Sequence, residues 1–103
     1  PLQDLFEFCE CKWSMKTILW VASQLISRIE TLHSANFIHR DIKPENFLIG
    51  NGKKSSLVYM IDFGLSKRFK CPKTGLHVKP KTRTGGIMGT PRYCSLNAFM
   101  SQE

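Results

Sequence analysis

The stretch His39-Arg40-Asp41-Ile42-Lys43-Pro44-Glu45-Asn46-Phe47-Leu48-Ile49, followed after a turn by Leu57-Val58-Tyr59-Met60-Ile61-Asp62-Phe63-Gly64, decides how this chain is read. Its polar half is bounded by two apolar runs, Phe47-Leu48-Ile49 and Leu57 to Ile61, whose branched and aromatic residues are those of short strands. Gly50-Asn51-Gly52-Lys53-Lys54 between them holds residues that tolerate positive φ, the chemistry of a hairpin connection. An antiparallel pairing with Phe47 opposite Ile61 sets Asn46 opposite Asp62, and directly opposed Cβ atoms lie about 4.5–5.5 Å apart. An amide oxygen and a carboxylate at that spacing are hard ligands of the kind Mg2+ takes alongside phosphate oxygens and water. Asp41 lies on the same loop ahead of Asn46, with Lys43 between them. One carboxylate base, one cation and two metal ligands suit phosphoryl transfer, where catalysis is mostly positioning and charge neutralisation. Taken one at a time, the same residues read as a turn cap, a solvated charge and an Asx-turn; the combination is what carries the reading.

Toward the N-terminus, Leu2, Leu5, Phe6 and Cys9 recur at helical spacing and predict a short helix over 1–10. Ser14 is a candidate N-cap for a long helix over 14–34. Its stripe Ile18, Ala22, Leu25, Ile29 and Leu32, widened by Val21 and Ile26, predicts a core-facing surface. Asn36 suits the left-handed conformation that ends a helix. Toward the C-terminus the periodicity fails from Gly64 to about Gly89, where Gly, Pro, Thr and Lys dominate. A loop of that length inside a compact domain is usually functional or disordered.

The chain of 103 residues fits one modest domain or part of a larger one, and 42% hydrophobic residues suffice for a core. Ser23 and Gln24 interrupt the most apolar run, so no stretch approaches a membrane span. The sequence opens Pro1-Leu2-Gln3-Asp4, with no initiator Met and no signal peptide, and reads as a fragment. The net charge of +7 is uneven: residues 1–62 are neutral, whereas the remainder carries Lys67, Arg68, Lys70, Lys73, Lys79, Lys81, Arg83 and Arg92 against Glu103. That asymmetry points to an anionic partner, with a solvated basic loop as the plainer reading. Cys9, Cys11, Cys71 and Cys94 match no common zinc spacing and read as reduced thiols, which predicts a cytoplasmic or nuclear location.

His39 to Asn46 resembles the protein-kinase catalytic loop, and Asp62-Phe63-Gly64 resembles the metal-binding triplet of the same enzymes. The resemblance extends to the casein kinase 1 family through Asp4-Leu5-Phe6, Ile26 to Glu30, Asn36-Phe37-Ile38, Asn46-Phe47-Leu48, Gly52-Lys53-Lys54 and Leu57-Val58-Tyr59. After Gly89-Thr90-Pro91-Arg92-Tyr93, where most kinases have Ala-Pro-Glu, this chain has Ser95-Leu96-Asn97, similar to the Ser-Ile-Asn of that family.

The resemblance implies an α+β fold, the central part of a kinase large lobe. It would be mainly helical, with a catalytic loop over 38–46, a small antiparallel hairpin over 47–61 and a long activation segment over 62–97. It implies ATP- and Mg2+-dependent phosphorylation of Ser/Thr in acidic or phospho-primed proteins. Asp41 would accept or orient the hydroxyl proton, Lys43 would neutralise the transferring phosphoryl group and contact the nucleotide, and Asn46 with Asp62 would hold Mg2+. Phe63 would pack beneath the site, while His39 and Arg40 are expected to serve local structure. Arg92, with Thr90, would bind the substrate's anionic group, since a guanidinium fork matches phosphate, and Lys67, Arg68, Lys81 and Arg83 would widen that field. The partners implied are acidic or phosphorylated proteins, with no stable nucleic acid and no membrane span, and the state implied is a monomer within a longer chain.

Residues 79–88 depart from the family's usual pattern. The sequence also holds no Gly-rich phosphate-covering loop, no strand lysine and no helix glutamate to pair with it, so the 103 residues alone are expected to be inactive. The alternatives are a noncatalytic kinase-derived interaction module and, more weakly, a basic nucleic-acid-binding module. The latter lacks a stacking series, since the loop from Gly64 offers only Phe69 and then Tyr93 as aromatics.

Overall fold

The computed structural model describes residues 1–80 and 86–100. In chain order the elements are α1 (Leu2–Phe8), α2 (Met15–Ser34), β1 (Phe37–Ile38), β2 (Phe47–Ile49), β3 (Val58–Met60), β4 (Lys67–Arg68) and α3 (Leu96–Phe99). Single turns of 3-10 helix stand at Pro44–Asn46, Gly52–Lys54, Phe63–Leu65 and Pro91–Tyr93. The chain forms two compact units, one of Pro1–Thr31 with Pro44–Asp62, the other of Leu32–Lys43 with Phe63–Glu103. No helix among the described residues is long and apolar enough to cross a membrane.

In the first unit, α2 starts where Ser14 can cap it: the Ser14 hydroxyl accepts from the Thr17 amide at 3.1 Å. The core is Leu2 of α1, Val21 of α2, Phe47 of β2 and Val58 of β3, with Trp13, Leu25, Ile49 and Met60 packed around it. Phe6 meets Trp13 edge-on at 5.2 Å between ring centroids. The stripe expected to face the core is therefore only partly right. Val21 is buried, but Ile18 and Ile26 retain 44% and 67% exposure. The partner is too narrow to cover more, because β2 and β3 are three residues each.

Polar residues of α2 complete the hairpin instead. Gln24 donates from Nε2 to the Ser56 carbonyl at 2.7 Å and accepts at Oε1 from the Val58 amide at 2.9 Å. Arg28 donates from Nε to the Val58 carbonyl at 2.8 Å. The outer edge of β3 thus finds its hydrogen bonds on side chains of a helix rather than on a third strand.

The strand register also corrects the sequence reading. Phe47 faces Met60, not Ile61, and Asn46 lies across from Ile61, whose amide donates to the Asn46 carbonyl at 3.0 Å. Asp62 is one residue past that pair. The connection sets this register: Gly50 bonds Leu57 at 3.0 Å, and the turn at Gly52–Lys54 folds so tightly that a Cβ on Gly50 would collide with the Lys54 carbonyl. Turn geometry decides register in hairpins, and one residue of slip exchanges the faces of a strand.

The second unit begins at Leu32, in the last turn of α2, and past the end of that helix Asn36 takes φ +66°. Here a second small sheet appears that the sequence did not announce. β1 pairs antiparallel with β4, Phe37 facing Arg68 and Ile38 facing Lys67. The ladder continues as a hairpin: Phe69 donates to Asn36 at 3.0 Å, Val78 donates to Phe69 at 2.8 Å, Lys70 bridges His77, and Cys71 donates to Leu76 at 2.9 Å. Much of the segment expected to be an irregular basic loop is thus backbone-paired. Further on, the Ser95 hydroxyl caps α3 by accepting from the Ala98 amide at 3.2 Å. Lys81 and Arg83 lie outside the described residues.

Candidate active site

Asp41 follows two residues whose backbone is shaped for it. His39 is 2% exposed, and its Nδ1 accepts from the Asp41 amide at 3.3 Å. Arg40 adopts φ +69°, and its Nε donates to the Leu65 carbonyl at 2.6 Å. A left-handed non-glycine residue costs of order 1–3 kcal/mol and persists only where its surroundings enforce it. The Arg40 bond and the burial of His39 supply that enforcement, and both side chains have structural partners.

The Asp41 carboxylate is held at both oxygens. Oδ1 accepts from the Thr90 amide at 2.9 Å and from the Thr90 hydroxyl at 2.8 Å, and Oδ2 pairs with Lys43 Nζ at 2.9 Å. Lys43 Nζ also donates to Thr90 Oγ1 at 2.9 Å, which closes a ring of three side chains. Partial burial pushes the Asp41 pKa up, but the hydrogen bonds from Lys43 and Thr90 and the Lys43 charge outweigh it, so the carboxyl ionises below its usual range. The group is an oriented carboxylate, and a weak base.

Gly89 makes this ring possible. With φ +81° it carries the chain past the Asp41 loop so closely that a Cβ would lie 2.5 Å from the Arg40 carbonyl oxygen and 3.3 Å from Asp41 Oδ1. The sequence marks Gly89-Thr90-Pro91-Arg92-Tyr93 as the stretch before Ser95-Leu96-Asn97 and Thr90 as a substrate contact, with no role for Gly89. Its position beside Asp41 could have been suspected from a Gly-Thr pair ending a long loop, since glycine permits close backbone approach. Thr90, expected at the substrate, is found on Asp41 and Lys43.

Phe63, expected to pack beneath the site, is 51% exposed, and its ring tilts against His39 at 5.4 Å between centroids. Arg92 is exposed, with its guanidinium 5.7 Å from the centre of the Tyr93 ring. Arg68 lies over Phe37 at 4.5 Å, a cation–π contact that occupies a residue expected to widen an anion-binding field. Lys67 sits in β4 opposite Ile38.

Asn46 and Asp62 belong to the first unit and flank its hairpin. Asn46 is buried at 5% exposure, at the end of the 3-10 turn Pro44–Asn46. Asp62 is exposed and left-handed, φ +59°, which ends the strand alternation after Ile61. An amide oxygen and a carboxylate are a suitable donor pair for Mg2+, which takes one or two protein oxygens and fills its octahedron with phosphates and water. Among the described residues no three His, Cys, Asp or Glu side chains gather as a metal-binding group.

Residues 2–100 match the family model for the protein kinase domain.

Proposed function

Because the chain belongs to the protein kinase family, we propose that it serves transfer of the γ-phosphoryl group of ATP to a Ser or Thr hydroxyl of acidic or phosphorylated proteins, in the manner of casein kinase 1 enzymes. The observation that carries this reading is the ring of Asp41, Lys43 and Thr90. A carboxylate fixed at both oxygens is held in one orientation, which can position a hydroxyl for attack. Its lowered pKa fits this use: in a loose transition state the proton leaves late, so direction matters more than base strength. The hydroxyl oxygen bonds to the γ-phosphorus as the bond to the ADP oxygen breaks, and its proton passes to Asp41. Lys43 supplies positive charge beside the base, where the equatorial phosphoryl oxygens gather charge.

Asn46 and Asp62 are the residues that would hold Mg2+, which when bound neutralises the nucleotide phosphates. Arg92 is the residue proposed for an acidic or phosphorylated group on the substrate; it is exposed and carries a guanidinium fork. The assignment to casein kinase 1 rests on Ser95-Leu96-Asn97 after Tyr93, a stretch in which Ser95 caps a helix. A cytoplasmic or nuclear location belongs to the same proposal.

The test uses the cellular polypeptide that carries residues 1–103. It is assayed for labelled phosphate transfer to an acidic Ser/Thr peptide and to a neutral one. Asp41→Asn should lower turnover by about 100-fold or more while Mg2+-ATP binding persists, the size expected when a positioned proton acceptor is removed. Unchanged turnover in Asp41→Asn refutes the catalytic reading, and retention of Mg2+-ATP binding in Asp62→Ala refutes the metal assignment.

A further inference from the structure

The hairpin that follows β4 is not used by the chemistry above. Phe69 and Val78 pair at its base, Lys70 bridges His77, and Cys71 bonds Leu76 across a turn closed by Gly75 donating to Cys71 at 2.9 Å. It is anchored: the Phe69 ring lies edge-on to His33 of α2 on one side and to His77 on the other, at 6.1 and 5.4 Å. Its outer part is both basic and apolar. Lys73 and Lys79 are exposed and Lys70 half-buried, and Leu76 beside the turn is 70% exposed, with Val78 at 41%. No Asp or Glu occurs between Asp62 and Glu103 to offset these charges.

Charge alone would suit any anionic partner, but an acidic peptide gains nothing from an exposed leucine at the end of a hairpin. A lipid surface gains from both. We propose that the hairpin of residues 69–78 docks on an anionic lipid surface, with Leu76 entering the headgroup boundary and Lys70, Lys73 and the flanking Lys79 at the level of the lipid phosphates. Stable membrane attachment commonly combines an apolar insertion with a basic patch, since either alone binds weakly. The relevant source of phosphate is thus a headgroup in a bilayer and not a soluble ion.

The test is sedimentation of the full chain with phosphatidylcholine vesicles and with mixed phosphatidylcholine/phosphatidylserine vesicles. It reads no phosphotransfer, so its failure is separate from failure of the kinase reading. Binding should require phosphatidylserine and fall with added salt. The pair Lys70→Gln and Lys73→Gln should weaken it by about 25-fold, at roughly fivefold per lysine near such a surface. Leu76→Ser should weaken it about tenfold, the effect of a leucine partly withdrawn from water. Leu76→Trp guards against misfolding: it should still bind, with fluorescence quenched by brominated lipid. Absence of binding to the mixed vesicles at low salt overturns the proposal. Binding indifferent to Leu76→Ser and competed by polyglutamate also overturns it, and assigns the hairpin to acidic protein segments.

Discussion

Replacing Gly89 by alanine should separate Thr90 from Asp41, and the structure says by how much. The new Cβ would stand 2.5 Å from the Arg40 carbonyl oxygen, a backbone atom that cannot swing aside, and 3.3 Å from Asp41 Oδ1. Relief to ordinary contact, at about 3.4 Å, needs a shift of about 0.9 Å, and that would stretch the two bonds from Thr90 beyond about 3.5 Å, where they cease to be hydrogen bonds. Hydrogen bonds to a charged group are worth about 1.5–3 kcal/mol each, and the left-handed backbone costs an L-residue about 1–2 kcal/mol. With two such bonds lost and the backbone cost added, the variant should lose about 4–8 kcal/mol of local stability. Gly75→Ala is the control: its φ is +69°, but nothing lies within 4 Å of the added carbon, so it should lose only the conformational term. The assay is a carbon-13 NMR titration of the Asp side-chain carboxyls in the whole chain, alongside denaturant unfolding. With the Thr90 bonds gone, burial is less opposed, and the Asp41 midpoint should move up in Gly89→Ala and stay put in Gly75→Ala. An unmoved midpoint in Gly89→Ala, or equal losses of stability in both variants, would refute the reasoning.

Two further expectations follow from the same kind of accounting. Gln24→Ala removes the bonds to the Ser56 carbonyl and from the Val58 amide, keeps the Arg28 bond to the Val58 carbonyl, and leaves the amide of the fully buried Val58 unpaired. A loss of about 2–4 kcal/mol is expected in urea unfolding, because an orphaned buried donor costs its full desolvation; a loss under about 1 kcal/mol would show that water replaces the glutamine. Asp41, whose folded pKa is depressed, contributes stability that is fully present above the ordinary carboxylate range and is lost as pH falls through its lowered value. Unfolding free energy in Asp41→Asn should accordingly fall less steeply on acidification than in the parent chain, and parallel pH profiles would exclude Asp41 as a source of acid lability.

The start of α2 at Ser14, the left-handed residue Asn36 at its end and the two strands around Gly50 to Lys54 were legible because each depends on residues within a few positions. The residues of the candidate site were legible for a different reason. His39 to Asn46 and Asp62-Phe63-Gly64 carry chemistry in their side-chain types, and a resemblance can be read from types without knowing distances. Register was not legible, because it depends on how tightly the connecting turn closes on Gly50. Burial along α2 was not legible either: more apolar positions compete than one narrow hairpin can cover, and Gln24 and Arg28 take part of that face through hydrogen bonds to the backbone.

The pairing of Phe37–Ile38 with Lys67–Arg68 joins strands too short for any periodicity to mark. Above all, the bond from Thr90 to Asp41 spans 49 residues. Sequence by itself determined which side chains could do chemistry and where the local elements begin and end, since capping, turn preference and side-chain type are short-range properties. Tertiary structure alone decided which of them meet, because closing a long loop costs entropy that only contacts made at a distance, here a glycine without a Cβ and a threonine with two donors, can offset.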